Sequence, residues 1–151
     1  MTKSQRLQPI AKLAERREQE AARCLAECYA RLRERQEKLD ELLGYREEYR
    51  LRYERMASAG MHAGKVQRYL AFMRQLDAAI EHQQGMVNRA SRDCEAQRRE
   101  WTGLHSKTLS LDKAIERMRQ DEAHQESRRE QRESEDRPPR PGLPQMDSDT
   151  R

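Results

Sequence analysis

The sequence predicts an all-α protein, two long helices folded into an antiparallel coiled-coil hairpin with a disordered C-terminal tail. Three observations carry that expectation. Core formers are scarce, with Leu, Ile, Val and Phe supplying only 20 of 151 residues, below the roughly 20 % of an ordinary packed domain. Charge is dense but balanced, 31 Lys and Arg against 27 Asp and Glu, so the large net charge that accompanies disorder is missing. The apolar residues that remain recur at alternating steps of three and four, the signature of a coiled-coil seam.

The first helix is expected over residues 1–56. Pro9 stands near its start and no other proline occurs before Pro138, so nothing interrupts a very long helix. Its seam reads Leu7, Ile10, Ala14, Arg17, Ala21, Cys24, Cys28, Leu32, Arg35, Leu39, Leu42, Arg46, Tyr49, Tyr53 and Met56. The three exceptions are arginines, whose stems can lie along a seam while the guanidinium reaches solvent. The steps Cys24–Cys28–Leu32 are four and four, a stutter that should relax the supercoil locally.

A hairpin loop is expected over residues 57–65, where Gly60 and Gly64 stand among small residues. The second helix follows over residues 66–122. Its seam is Val66, Tyr69, Met73, Leu76, Ile80, Gln83, Val87, Ala90, Cys94, Gln97, Trp101, Leu104, Thr108, Leu111, Ile115 and Met118, without one charged residue. In a chain that is 38 % charged, that row demands a structural cause. Folding the arms together pairs layers whose residue numbers add to about 122, which sets Cys28 against Cys94 and Ala21 against Trp101. Residues 123–137 are rich in Glu, Arg and Gln and offer nothing to pack, so a fraying helical extension is expected. Residues 138–151, with four prolines, are expected to form the disordered tail.

Catalytic and cofactor chemistry find no footing in this pattern. The stretch from Gly60 to Lys65 is one residue short of a phosphate-binding loop, and Val66 replaces the required hydroxyl. Cys24 and Cys28 share a helical face, but no further ligand completes a metal site; as seam residues they read as small apolar fillers. His62, His82, His105 and His124 are scattered. We expect no enzyme, no cofactor and no metal. The 25 arginines and pI near 9.1 raise nucleic acid as a partner, yet acids are interleaved with the bases and leave no continuous basic stripe. No direct membrane insertion is expected either, because the longest stretch free of charge is nine residues. The N-terminal residues lead into charged sequence without a signal-peptide core, and the three cysteines read as reduced thiols of a cytosolic protein.

One feature exceeds what a hairpin needs. Leu43, Tyr45, Leu70, Phe72 and Ala79 fall off the seam near the bend, beside Leu42, Tyr49 and Leu76 on it. A two-helix rod has no further layer to cover them, so they read as a docking patch for another protein or as a broadened seam.

These residues also carry a family resemblance. Ala14-Glu15, Ala21-Ala22-Arg23, Leu42, Tyr45-Arg46-Glu47-Glu48-Tyr49-Arg50, Ser58-Ala59-Gly60, Tyr69, Phe72, Leu76 and Ala79-Ile80 resemble the flagellar export protein FliJ family over roughly residues 7–120. The resemblance implies a non-enzymatic, stalk-like coiled coil of the bacterial flagellar type III export apparatus. Such a stalk links the export ATPase ring and its regulator to the cytoplasmic domain of the export gate, and it escorts export chaperones. It is cytoplasmic, held peripherally at the inner membrane through the apparatus, and required for flagellum assembly and motility. The gate-facing residues implied here are Leu42, Tyr45, Tyr49, Phe72, Leu76 and Ala79. Lys38 stands where the family favours Gln, and the His82-Gln83 order is exchanged. The rival reading is a homodimeric coiled-coil scaffold unrelated to export.

Overall fold

The computed structural model describes residues 1–142; the expected tail thus lies partly inside them, at 138–142, and otherwise outside the described residues. Helix α1 runs Lys3–Ser58 and helix α2 runs Ala63–Glu135, packed against each other as an antiparallel hairpin, and the described residues contain no strand. At about 1.5 Å per residue the arms are roughly 84 and 110 Å long.

Local chemistry sets each helix end. Thr2 caps α1 in a capping box with Gln5, its side chain accepting from the Gln5 N–H while its own N–H donates to Gln5 Oε1 at 3.1 Å. Two backbone donors of the first turn are thereby satisfied. Pro9 lies inside α1 rather than before it. It removes one backbone hydrogen bond in the second turn, where the capping box and the bonds from Ser4 to Glu122 hold the chain in place. Ser4 donates from its N–H to Glu122 Oε1 at 3.1 Å and from Oγ to Oε2 at 2.7 Å. At the bend, Gly60 takes φ 89°, a left-handed conformation that costs an L residue about 1–2 kcal/mol. It ends α1 just beyond the cap, its N–H bonding to Ala57 O at 3.2 Å. Only residues 59–62 separate the helices. Ala57, Ser58 and Ala63 are small and helix-compatible, and each is absorbed into a helix.

The core is a single seam. All sixteen α2 positions named above are buried or half-buried. In α1 the seam differs from the expected row. Ile10 is 51 % and Met56 42 % exposed, and Arg17 is exposed too. Ala11 and Glu18 are half-buried in place of Ile10 and Arg17, and Leu25 is half-buried beside the equally half-buried Cys24. The buried and half-buried α1 row is therefore Ser4, Leu7, Ala11, Ala14, Glu18, Ala21, Leu25, Cys28, Leu32, Arg35, Leu39, Leu42, Tyr49 and Tyr53, while Arg46 holds the intervening heptad position but is exposed. Read through Leu25, this row continues in steps of three and four, with Cys24 half-buried beside it. Its cause is the choice of partner: Glu18 sits in the seam because His105 of α2 meets it there, Nδ1 to Oε1 at 2.5 Å.

Cross-hairpin partners confirm the layer rule. Tyr53 stacks on Tyr69, Tyr49 touches Phe72, Arg46 pairs with Asp77, and Gln83 donates to Arg35 O. Each pair adds to within four of 122. Among the described residues no large side chain is completely enclosed. Ion pairs line the outer faces of the rod, each individually weak.

Candidate protein-docking surface

The hairpin has two long edges where its helices meet solvent, and heptad position decides which side chains share one. Tyr45 lies three residues after Leu42 and four before Tyr49. Phe72 lies three after Tyr69 and four before Leu76, and Ala79 lies three after Leu76. All flank the same side of the seam. The contact between Tyr49 and Phe72, ring centroids 4.6 Å apart and tilted by 48°, shows that the two flanks meet. Leu43 and Leu70 belong to the other edge, the one bridged by Arg46 Nε and Asp77 Oδ1 at 2.7 Å. The off-seam residues are therefore two groups.

An aromatic ladder leads from the bend into the first group. Tyr53 and Tyr69 stack at 4.0 Å with planes 12° apart, and Tyr49 and Phe72 form the next rung. The Arg52 guanidinium lies over Tyr49, 5.5 Å from its centroid. Tyr45 comes next and has no aromatic partner, with 46 % of its surface exposed. Phe72 is 39 % exposed, and Ala79 is exposed beside them. Leu42 and Tyr49 are half-buried. Leu76, 9 % exposed, is a seam residue one turn after Phe72.

The polar rim of this edge is already partly engaged. Gln83 is buried, with Nε2 donating to Arg35 O at 2.9 Å, so it braces the hairpin. His82 is exposed, and Lys38 Nζ reaches Glu41 at 3.5 Å on its own helix.

Sequence reasoning missed a polar cluster farther from the bend. Glu18, His105 and Trp101 stand together, the indole stacked on the imidazole at 4.9 Å and 12°. The hydrogen bond with His105 lowers the Glu18 carboxyl below its ordinary range against the opposing effect of burial. The Ser4 hydroxyl and backbone lower Glu122 in the same way. Both are cross-hairpin locks. The only available signal was their spacing, since Glu18 and Glu122 each continue a strict three-four row.

No cluster of three or more metal-ligating side chains occurs among the described residues. No described helix is long and apolar enough to cross a membrane. Residues 2–136 match the family described as Flagellar FliJ protein. The chain belongs to that family. Membership in the FliJ family makes it a component of the flagellar export apparatus, concerned with flagellum biogenesis and protein export. Comparison with the curated proteins and with the solved structures gives no match.

Proposed function

We propose that the protein is a non-enzymatic stalk that couples the export ATPase ring to the export gate. The paired helix ends sit with the ring and its regulator, and the edge beside the bend meets the cytoplasmic domain of the gate. Leu42, Tyr45, Tyr49, Phe72, Leu76 and Ala79 form that meeting surface. Tyr45, Phe72 and Ala79 touch the partner while Leu42, Tyr49 and Leu76 back them. Export chaperones are escorted along the same rod. The protein works in the cytoplasm, peripheral to the inner membrane through the apparatus, without inserting into the bilayer and without nucleic acid.

One observation carries this reading: two aromatic side chains, Tyr45 and Phe72, stand exposed on a single edge beside the aromatic ladder that leads from the bend. A half-exposed aromatic gains little in the free protein and much in a desolvated interface. A two-helix rod also suits transmission, because α1 is paired with α2 along its whole length from Ser4 to the bend. The test is Tyr45→Ala combined with Phe72→Ala. Binding to the gate's cytoplasmic domain should weaken by at least about tenfold, the usual scale of an aromatic anchor, and swimming should fail. Helicity should remain, since neither side chain is in the seam. Unchanged affinity and motility would refute the assignment.

A further inference from the structure

Partway down the rod lies a pair of thiols that the stalk reading does not use. Cys28 and Cys94 are 5 % and 3 % exposed, and both are free. They face each other in one seam layer, their numbers adding to 122 like those of the stacked Tyr53 and Tyr69. The Cys94 thiol is pushed up by burial first and then by Cys28 close beside it. At about 1.5 Å per residue, this layer lies roughly 25 Å along α1 from Tyr45, well clear of the proposed gate surface.

Two observations distinguish this pair from inert packing. Arg31 Nη2 donates to Cys28 Sγ at 3.3 Å. Beside it a groove of about 260 Å³ opens onto Cys28, lined by Arg31, Arg35 and Arg89 together with Met86, Ala90 and Asp93. Cys28 thus has a solvent route edged by three guanidiniums and one carboxylate, while Cys94 stands behind it without such a route. A small anion is drawn to the outer sulfur, and the inner sulfur is in place to complete an exchange.

We propose that Cys28 and Cys94 form a cross-hairpin oxidation site, in which an anionic low-molecular-weight disulfide of the glutathione type converts the pair to a disulfide that staples α1 to α2. Cys28 gives up its thiol proton and its sulfur attacks one sulfur of the reagent, breaking that disulfide and expelling one thiolate. Cys94 then loses its proton and attacks Cys28 Sγ, breaking the mixed disulfide and expelling the second thiolate. Two protein thiols are oxidised and one reagent disulfide is reduced to two thiols, which take up the two protons. Cys24, half-buried one turn earlier, is not part of the site.

The test uses the full-length chain incubated with glutathione disulfide under native conditions. Cys24→Ala should lose both remaining thiols and two hydrogens in mass, and trypsin should release fragments 24–31 and 93–98 joined together. Its melting midpoint should rise and fall back on reduction. Cys94→Ala should instead stop with one glutathione attached at Cys28; if that variant does not fold, the Cys24→Ala chain decides alone. Retention of both thiols in folded Cys24→Ala, a glutathione adduct without the cross-link, or a disulfide between two chains would each overturn the proposal.

Discussion

Replacing glycine by alanine should move stability in opposite directions at different points of this rod. Gly44 and Gly103 lie within helices, and a Cβ added at either meets nothing within 4 Å. Alanine there should stabilise each helix by about 1 kcal/mol, the helix-propensity difference. The sites lie far apart along the rod, so the double variant should gain about 2 kcal/mol. Gly60 also has open space around it, so no clash opposes a Cβ. Its φ of 89° is the whole obstacle, and Gly60→Ala should cost about 1–2 kcal/mol. Urea denaturation followed by circular dichroism reads all of these as shifts in midpoint at constant slope. Gly60→Asn, a residue that tolerates the left-handed region, should fall between wild type and Gly60→Ala. Equal loss at Gly44 and Gly60, or a gain at Gly60, would refute the assignment of the bend and the helices around it.

Leu39 and Leu43 offer a similar contrast, being 4 % and 44 % exposed. Leu39→Ala should destabilise by about 2–3 kcal/mol, the low end for buried leucine because a thin rod admits water to the gap, whereas Leu43→Ala should cost under about 1 kcal/mol in the same urea assay. Acid should weaken the hairpin through Glu18 and Glu122, whose native carboxyls are lowered from 4.5 by His105 and Ser4 respectively. A lowered carboxyl stabilises the fold above its unfolded value, so the melting midpoint should drop as pH falls below about 4.5 towards the native values. Glu18→Gln together with Glu122→Gln should flatten that limb. Light scattering on the isolated chain should give the 18.0 kDa monomer mass, where a scaffold dimer would give twice that.

The helices were legible because a charged chain leaves little choice of what to bury. In α2 every expected seam residue, from Val66 to Met118, is buried or half-buried. In α1 the row slipped at Ile10 and Arg17, each one residue before the buried position, and Arg46 and Met56 are exposed. Ala11 is too small and Glu18 too polar to stand out in a pattern of apolar residues. Glu18 becomes a seam residue only through His105 on the other arm, and a pairwise cause leaves no mark on one helix's periodicity. The off-seam group was half legible. Tyr45, Phe72 and Ala79 share one flank of the seam, but Leu43 and Leu70 lie on the opposite edge, because distance from the seam does not say on which side a residue lies. Heptad position does. Leu76 could not be separated from its exposed neighbours until its 9 % exposure was known.

The arms are unequal, and that gives the molecule two unlike extremities. Helix α1 begins opposite Glu122, while α2 continues to Glu135 with every residue after Glu122 exposed. Two packed helices resist bending more than one, so the segment of α2 beyond Glu122 lacks the bracing that the bend and the shaft have. Cleavage at Arg128, Arg129 or Arg132, all exposed beyond the last cross-hairpin bond, should therefore leave the paired shaft folded.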